Sequence, residues 1–305
     1  MNSPFFSVSD EVHEAVAACA PVVALESTII AHGMPHPQNL TTAQLLEDTI
    51  RQQGAVPATV AVIDGVLCVG LSAEQLNRLA TQADVMKLSR RDLAWAIARK
   101  RTGATTVAAT MIAAAKAGIE LFATGGIGGV HRGAELSWDV SADLTELART
   151  PVNVVCAGPK AILDLPATLE YLETLGVPVV GFQTNELPAF YSRQSGLKLD
   201  LRADTPEELA AFIKVRKQLS VDGGVLIVQP VAEAHEIPFA TMARTIDEAL
   251  QEAHEANVTG KAVTPWLLDR IRSLTSGQSL ATNIRLVENN ARLAARVAVE
   301  LSRPS

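Results

Sequence analysis

The chain has 305 residues, 48% hydrophobic but only 4% aromatic, so Ala, Val, Leu and Ile must fill its core. A formal net charge of −7 argues against a broad nucleic-acid-binding face, and any anion site must be a local concentration of donors. Cys19, Cys68 and Cys156 are widely spaced, show neither a disulfide framework nor a metal spacing, and suit a reducing cytosol.

Met1 to Asp10 lacks the basic start and apolar run of a secretory signal. Pro21 to Leu25 reads as a short buried strand, closed by Glu26. Asn39 reads as the cap of a helix running to about Gln53 and stopped by Gly54. Ala58 to Asp64 and Val66 to Val69 flank Asp64-Gly65, a hairpin signal. Ser72 with Gln75 predicts a capping box for the next helix. Val85 to Leu88 reads as a strand and Arg91 to Arg101 as a helix. A small-residue helix is expected from Thr105 to Ala117, ended by Gly118. The apolar stretch from Thr105 to Val130 is broken by Lys116 and Glu120 and is too glycine-rich for a membrane span.

Ile119 to Ala123 reads as a buried strand leading into Thr124-Gly-Gly-Ile-Gly-Gly-Val-His-Arg-Gly-Ala-Glu135. Four glycines within Gly125 to Gly129 require a sharp turn or a close backbone approach. Successive N–H groups there would form an anion cavity, with His131 and Arg132 adding donors; a phosphate ester is the expected ligand. Ser141 caps a helix through Arg149. Val152 to Cys156 is a strand, Lys160 to Leu175 a helix stopped by Gly176, and Val177 to Phe182 another strand. Thr205-Pro206-Glu207-Glu208 starts a helix, Gly224 to Gln229 is a late strand, and a last helix runs from about Leu280 to Leu301. This alternation predicts one α/β domain over residues 1–305: a three-layer α/β/α fold with a mostly parallel, mixed central sheet. Ligands of such sheets sit beyond the carboxyl ends of strands. Glu26, Lys87, the glycine loop and Lys160 all fall near such ends.

Lys160 follows Cys-Ala-Gly-Pro at an expected helix start, where the positive end of the dipole would ease loss of its proton. A neutral amine can attack a carbonyl carbon; the alternative is a solvated first-turn lysine. Glu26 is either a general acid or base emerging from a buried strand, or a carboxylate capping nearby N–H groups. Lys87, beside Arg90 and Arg91, suits a phosphate or a charged helix entry. Asp139, Ser141 and Asp143 suit a hard cation, and equally an N-cap serine with acids near the helix dipole. Asn283 reads as surface polarity on the last helix. His32 and His36 are separated by Gly33 and Pro35, which prevents the helix that would make them a metal pair.

Six segments occur in a fixed order: Glu26-Ser-Thr-Ile-Ile-Ala-His-Gly-Met-Pro, Lys87-Leu-Ser-Arg-Arg-Asp, Gly103-Ala-Thr-Thr-Val-Ala, the glycine loop through Glu135, Ser141-Ala-Asp-Leu, and Cys156-Ala-Gly-Pro-Lys160. From about Val22 to Arg292 the chain resembles the pseudouridine-5′-phosphate glycosidases, the indigoidine synthase A-like family. The resemblance implies reversible conversion of pseudouridine 5′-phosphate and water to uracil and ribose 5-phosphate. It implies a lysine adduct at ribose C1′, with Lys160 as nucleophile and Glu26 as acid/base. Substrate would be bound by Lys87, Val107, Ser141, Ala142 and Asp143, with His131, Asn283, Thr124 and Gly126 also in the pocket. Asp139 would hold Mn²⁺ or another divalent cation. A cytoplasmic homotrimer, with no nucleic-acid or membrane partner, is the implied setting. Pro159 stands where the family pattern has a small residue, and a fused sugar-kinase domain found in some relatives is missing. A Schiff-base aldolase, another sugar-phosphate lyase, or a non-catalytic sugar-phosphate-binding regulator would share the glycine loop.

Overall fold

The computed structural model describes residues 3–258 and 260–303. Its strands are β1 (Phe6–Val8), β2 (Val22–Leu25), β3 (Val56–Ile63), β4 (Val66–Val69), β5 (Met86–Leu88), β6 (Gly103–Thr105), β7 (Leu121–Ala123), β8 (Val130–His131), β9 (Asn153–Cys156), β10 (Leu163–Asp164), β11 (Val179–Phe182), β12 (Leu201–Ala203) and β13 (Leu226–Val228). One sheet runs β1-β4-β3-β2-β7-β9-β13-β11-β12, with β5 and β6 branching from β3. From β3 to β12 every neighbour is parallel. The sheet is mixed and mostly parallel, as expected.

Helices cover both faces because successive strand residues point to opposite sides. Val23 and Leu25 of β2 enter one apolar layer with Leu46 and Ile50 of helix Gln38–Gln52, Leu209 of helix Pro206–Gln218 and Leu286 of helix Gln278–Ser302. Val22 and Ala24 enter the other, with Met111 of helix Val107–Ala117, Leu147 of helix Ala142–Arg149 and Leu172 of helix Leu165–Thr174. Burial on both faces explains why these strands read as unbroken apolar runs. Among the described residues no helix is long and apolar enough to cross a membrane.

Local signals hold where the chemistry is local. Ser72 with Gln75 and Thr205 with Glu208 form capping boxes, and Pro206 opens the latter helix. Gly118 ends its helix at φ 81°. Asp64 and Gly65, at φ 48° and 82°, turn β3 into antiparallel β4. Other expectations need correcting. Asn39 lies inside its helix, not at the cap; its buried amide donates to the carbonyls of Ile30 and Ala80. The helix expected from Arg91 to Arg101 is a 3-10 turn at Arg90–Asp92 followed by Leu93–Ala98. Thr105 belongs to β6 rather than to the helix that follows, which Thr106 caps.

Where β3 outruns β2, the fold makes room for a site. Val56 to Thr59 pair with β2, but Ala61 and Val62 pair with antiparallel β6, and β5 runs beside β6. Strands β5 and β6 therefore run towards the carboxyl end of β2. Ser27 joins the three chains: its hydroxyl donates to Val60 O at 2.6 Å and accepts from Thr105 N at 2.9 Å. Glu26, Lys87 and the start of helix Val107–Ala117 are brought together by this one departure from parallel order.

Candidate active site

Glu26 follows β2 directly. Thr28 and Thr124 donate their hydroxyls to its two carboxylate oxygens. Burial pushes the Glu26 carboxyl above its ordinary value of 4.5. The Lys160 charge, the Thr124 hydrogen bond and the Lys87 charge oppose this, while nearby Asp143 reinforces it. The result is a carboxyl with greater proton affinity than a surface glutamate, as acid/base work at neutral pH requires.

The glycine loop differs from the expected anion cradle. None of Gly125, Gly126, Gly128 and Gly129 takes the left-handed conformation. They are glycine because neighbours press on them. A Cβ at Gly126 would lie 2.6 Å from the Phe190 ring and 2.8 Å from Gly158 O. One at Gly128 would lie 2.2 Å from Ser141 Oγ. Several loop N–H groups are spent within the protein: Ile127 on Gly158 O, Gly128 on Asp143 and Val130 on Thr168. The loop presents a carbonyl instead, and Lys160 Nζ donates to Gly126 O at 3.1 Å.

Lys160 is half-buried, and it does not start a helix. Pro159 forms a parallel bridge with Ile127, and Lys160 N donates to Ile127 O at 3.1 Å. The helix begins at Leu165, capped by Asp164. The helix dipole expected at Lys160 is therefore absent, because no helix starts there. Pro159 serves the bridge, which requires no N–H from it.

Asp143 is buried and committed to the backbone. One oxygen accepts from Ala108 N at 2.9 Å and the other from Gly128 N at 2.8 Å. It ties the start of helix Val107–Ala117 to the glycine loop, a structural role that stands beside its expected one as a substrate contact on the cavity wall. Ser141 caps helix Ala142–Arg149 by accepting from Asp143 N. Arg90 reaches the same helix, making a two-point ion pair with buried Glu146.

His131 Nδ1 stands 4.0 Å from Asp139 Oδ2. Burial lowers the His131 pKa, the Asp139 charge works against this, and the Lys160 and Lys87 charges add to it. Among the described residues no group of three or more His, Cys, Asp or Glu side chains could hold an ion. A lone carboxylate beside an imidazole still fits Mn²⁺ or Mg²⁺, which keep several waters and take oxygens from a substrate phosphate.

Eleven of the twelve predicted site residues line one cavity of about 450 Å³: Glu26, Lys87, Val107, Gly126, His131, Asp139, Ser141, Ala142, Asp143, Lys160 and Asn283. That size suits a small metabolite. Thr124 lies behind the wall, holding Glu26. Asn283 is buried rather than surface, and its Oδ1 has no partner among the described residues. Sequence reasoning missed Thr28, which bonds Glu26, and His32, which lines the cavity with Nε2 unpartnered among the described residues. It also missed Asn290, whose Nδ2 donates to Thr124 O at 2.9 Å. Thr28 and His32 lie within the segment following Glu26, whereas a mid-helix asparagine leaves no local signal.

A family model described as indigoidine synthase A like protein matches residues 11–300. The pseudouridine-5′-phosphate glycosidase of Solibacter usitatus is 61% identical over 294 residues, covering 96% of this chain and 98% of the relative. That of Paracoccus denitrificans is 59% identical over 301 residues, covering 98% and 99%. The crystal structure of the prealnumycin C-glycosynthase AlnA in complex with ribulose 5-phosphate superposes with a TM-score of 0.91 at 38% identity, covering 99% of this chain and 98% of that one.

Proposed function

The chain belongs to the indigoidine synthase A-like family, and on that footing we propose that it is a lyase that reversibly cleaves pseudouridine 5′-phosphate to uracil and ribose 5-phosphate. One observation carries the reading: residues 124–126 join a raised carboxyl to a lysine, Thr124 donating to Glu26 and Gly126 accepting from Lys160. The relatives named pseudouridine-5′-phosphate glycosidase supply the substrate class.

The bond to be broken joins C1′ of ribose to C5 of uracil. No heteroatom departs, so the two-carboxylate route of ordinary glycosidases has no leaving-group lone pair to protonate. Asp143, the nearby second carboxylate, is already held by two backbone N–H groups. Attack needs the free amine of Lys160, and Glu26, a base strengthened by burial, can hold the proton the amine gives up. Nζ bonds to C1′ as the ring C1′–O4′ bond breaks, and O4′ takes the proton from Glu26. Glu26 then takes the second proton from the bound nitrogen and delivers it to C5 of uracil as the C1′–C5 bond breaks. The nitrogen lone pair completes a protonated imine between Lys160 and C1′. Water releases ribose 5-phosphate and restores the amine.

Lys87, His131 and the backbone at Val107 and Ser141-Ala142 surround the remainder of the substrate. Asp139 would hold Mn²⁺ together with water and substrate oxygens, and the ion would supply positive charge to a phosphate or ring oxygen. The reading includes a single catalytic domain, from the alternation of strands and helices along the chain, a cytoplasmic setting that the widely spaced cysteines suit, and a homotrimer implied by the family resemblance. Incubation with uracil, ribose 5-phosphate and Mn²⁺ should yield pseudouridine 5′-phosphate, separable by chromatography. No product with any divalent metal would sink the activity.

A further inference from the structure

We propose that Asn290 is a positioning residue for this reaction: from outside the cavity it fixes the backbone segment that joins Glu26 to Lys160. The inference rests on the function proposed above.

Asn290 lies in helix Gln278–Ser302, which packs across β2, β7 and β9, and is 1% exposed. Its Nδ2 donates to Thr124 O at 2.9 Å and lies 3.5 Å from Gly125 O. Its Oδ1 has no partner among the described residues. Stability alone gives a mixed account: the amide satisfies the buried Thr124 carbonyl, which leucine would leave unpaired, while its own oxygen stays unpaired.

The loop supplies the reason. Gly125 and Gly126 have no side chains to restrain their torsions, so restraint must come from hydrogen bonds. On the sheet side, Thr124 N donates to Val155 O at 3.0 Å and Ala157 N donates to Gly125 O at 2.9 Å. On the helix side, Asn290 holds the carbonyl of Thr124. The same residue, Thr124, bonds Glu26, and two residues on, Gly126 O accepts from Lys160. Without the Asn290 amide the Thr124–Gly125 peptide can rotate, and both catalytic groups lose their alignment.

The charged groups acting on Glu26 are Lys160, Asp143 and Lys87. Their influence should persist in a variant, while the Thr124 hydrogen bond, which lowers the Glu26 titration, weakens. Asn290→Leu and Asn290→Ala should lower kcat by roughly 100-fold, the scale of a misplacement of about 1 Å, with KM near the wild-type value. The carboxyl signal of Glu26, assigned by ¹³C NMR against Glu26→Gln, should titrate at higher pH in both variants than in the wild type. Should the leucine variant fail to fold, alanine, smaller and helix-favouring, provides the same readings. A purely structural role would leave the titration unmoved and cut turnover equally at every pH. An unmoved Glu26 titration or an unchanged kcat overturns the proposal. A wild type without turnover sinks the activity alone, because the titration needs none.

Discussion

Lys160 Nζ donates to the Gly126 carbonyl at 3.1 Å, across 34 positions of sequence. The contact places the amine at the end of the loop whose other end holds Glu26. Gly126→Ala tests it. A Cβ there meets Gly158 O at 2.8 Å, and backbone cannot move aside as a flexible side chain could. Overpacking of this kind costs about 1–3 kcal/mol. We expect a lower urea midpoint and a larger proportional loss in kcat than in KM. Full turnover in a destabilised variant would show that the loop does not position the lysine.

Glu26 makes stability depend on pH. Its folded-state pKa is raised, so its contribution is fully present below the unfolded value and is lost as pH rises through the folded one. Above about pH 4.5, folding must increasingly bury a charge or retain a proton that the unfolded chain has given up. Glu26→Gln, which cannot ionise, should gain thermal stability over the wild type as pH rises from 4 to 8. Its turnover should fall by about 10²–10⁴-fold. A stability difference independent of pH would contradict the raised carboxyl.

Asp143 separates structure from substrate contact. Asp143→Ala leaves the N–H groups of Ala108 and Gly128 without their acceptor. It should cost about 1.5–3 kcal/mol, the scale of a hydrogen bond to a charged group, in chemical unfolding without substrate. Asp143→Asn removes a negative charge that raises Glu26, so the Glu26 titration should move to lower pH. Wild-type stability for the alanine variant, with only KM raised, would leave Asp143 a substrate ligand with no structural role.

The metal expectation concerns Asp139. Chelation should abolish turnover and Mn²⁺ restore it. Asp139→Ala should need far more Mn²⁺ for half-maximal rate while melting at the wild-type temperature, since the Asp139 side chain is half exposed. Unchanged Mn²⁺ demand would remove Asp139 from the ion.

What could be read from the sequence was either local or carried by ordered motifs. Ser72 with Gln75, Thr205-Pro206 and Asp64-Gly65 declare themselves because their bonds span a few residues. Glu26, Lys87, Lys160, the glycine loop and the segment from Asp139 to Asp143 stand out by position and residue type, the resemblance implies their roles and adds Val107, and they do meet in one place. What escaped depends on distant partners. Pro159-Lys160 looks like a helix start, but pairing with Ile127 holds it extended. The glycines look like an anion nest, yet they are set by Phe190, Ser141 and Thr168, which no spacing rule connects to them. Asn290 resembles any helix asparagine until its amide is seen at Thr124, 166 positions away. The reversed strands β5 and β6 likewise depend on β3 outrunning β2, a length relation between separate segments.

The lysine adduct is the central claim, and trapping it is the most direct measurement. The protein is incubated with ribose 5-phosphate, reduced with cyanoborohydride, digested and mapped by mass spectrometry. One sugar-phosphate adduct is expected, on Lys160, absent from a folded Lys160→Ala variant that has also lost nearly all turnover. An adduct on Lys87 instead, or turnover that survives Lys160→Ala, would contradict it.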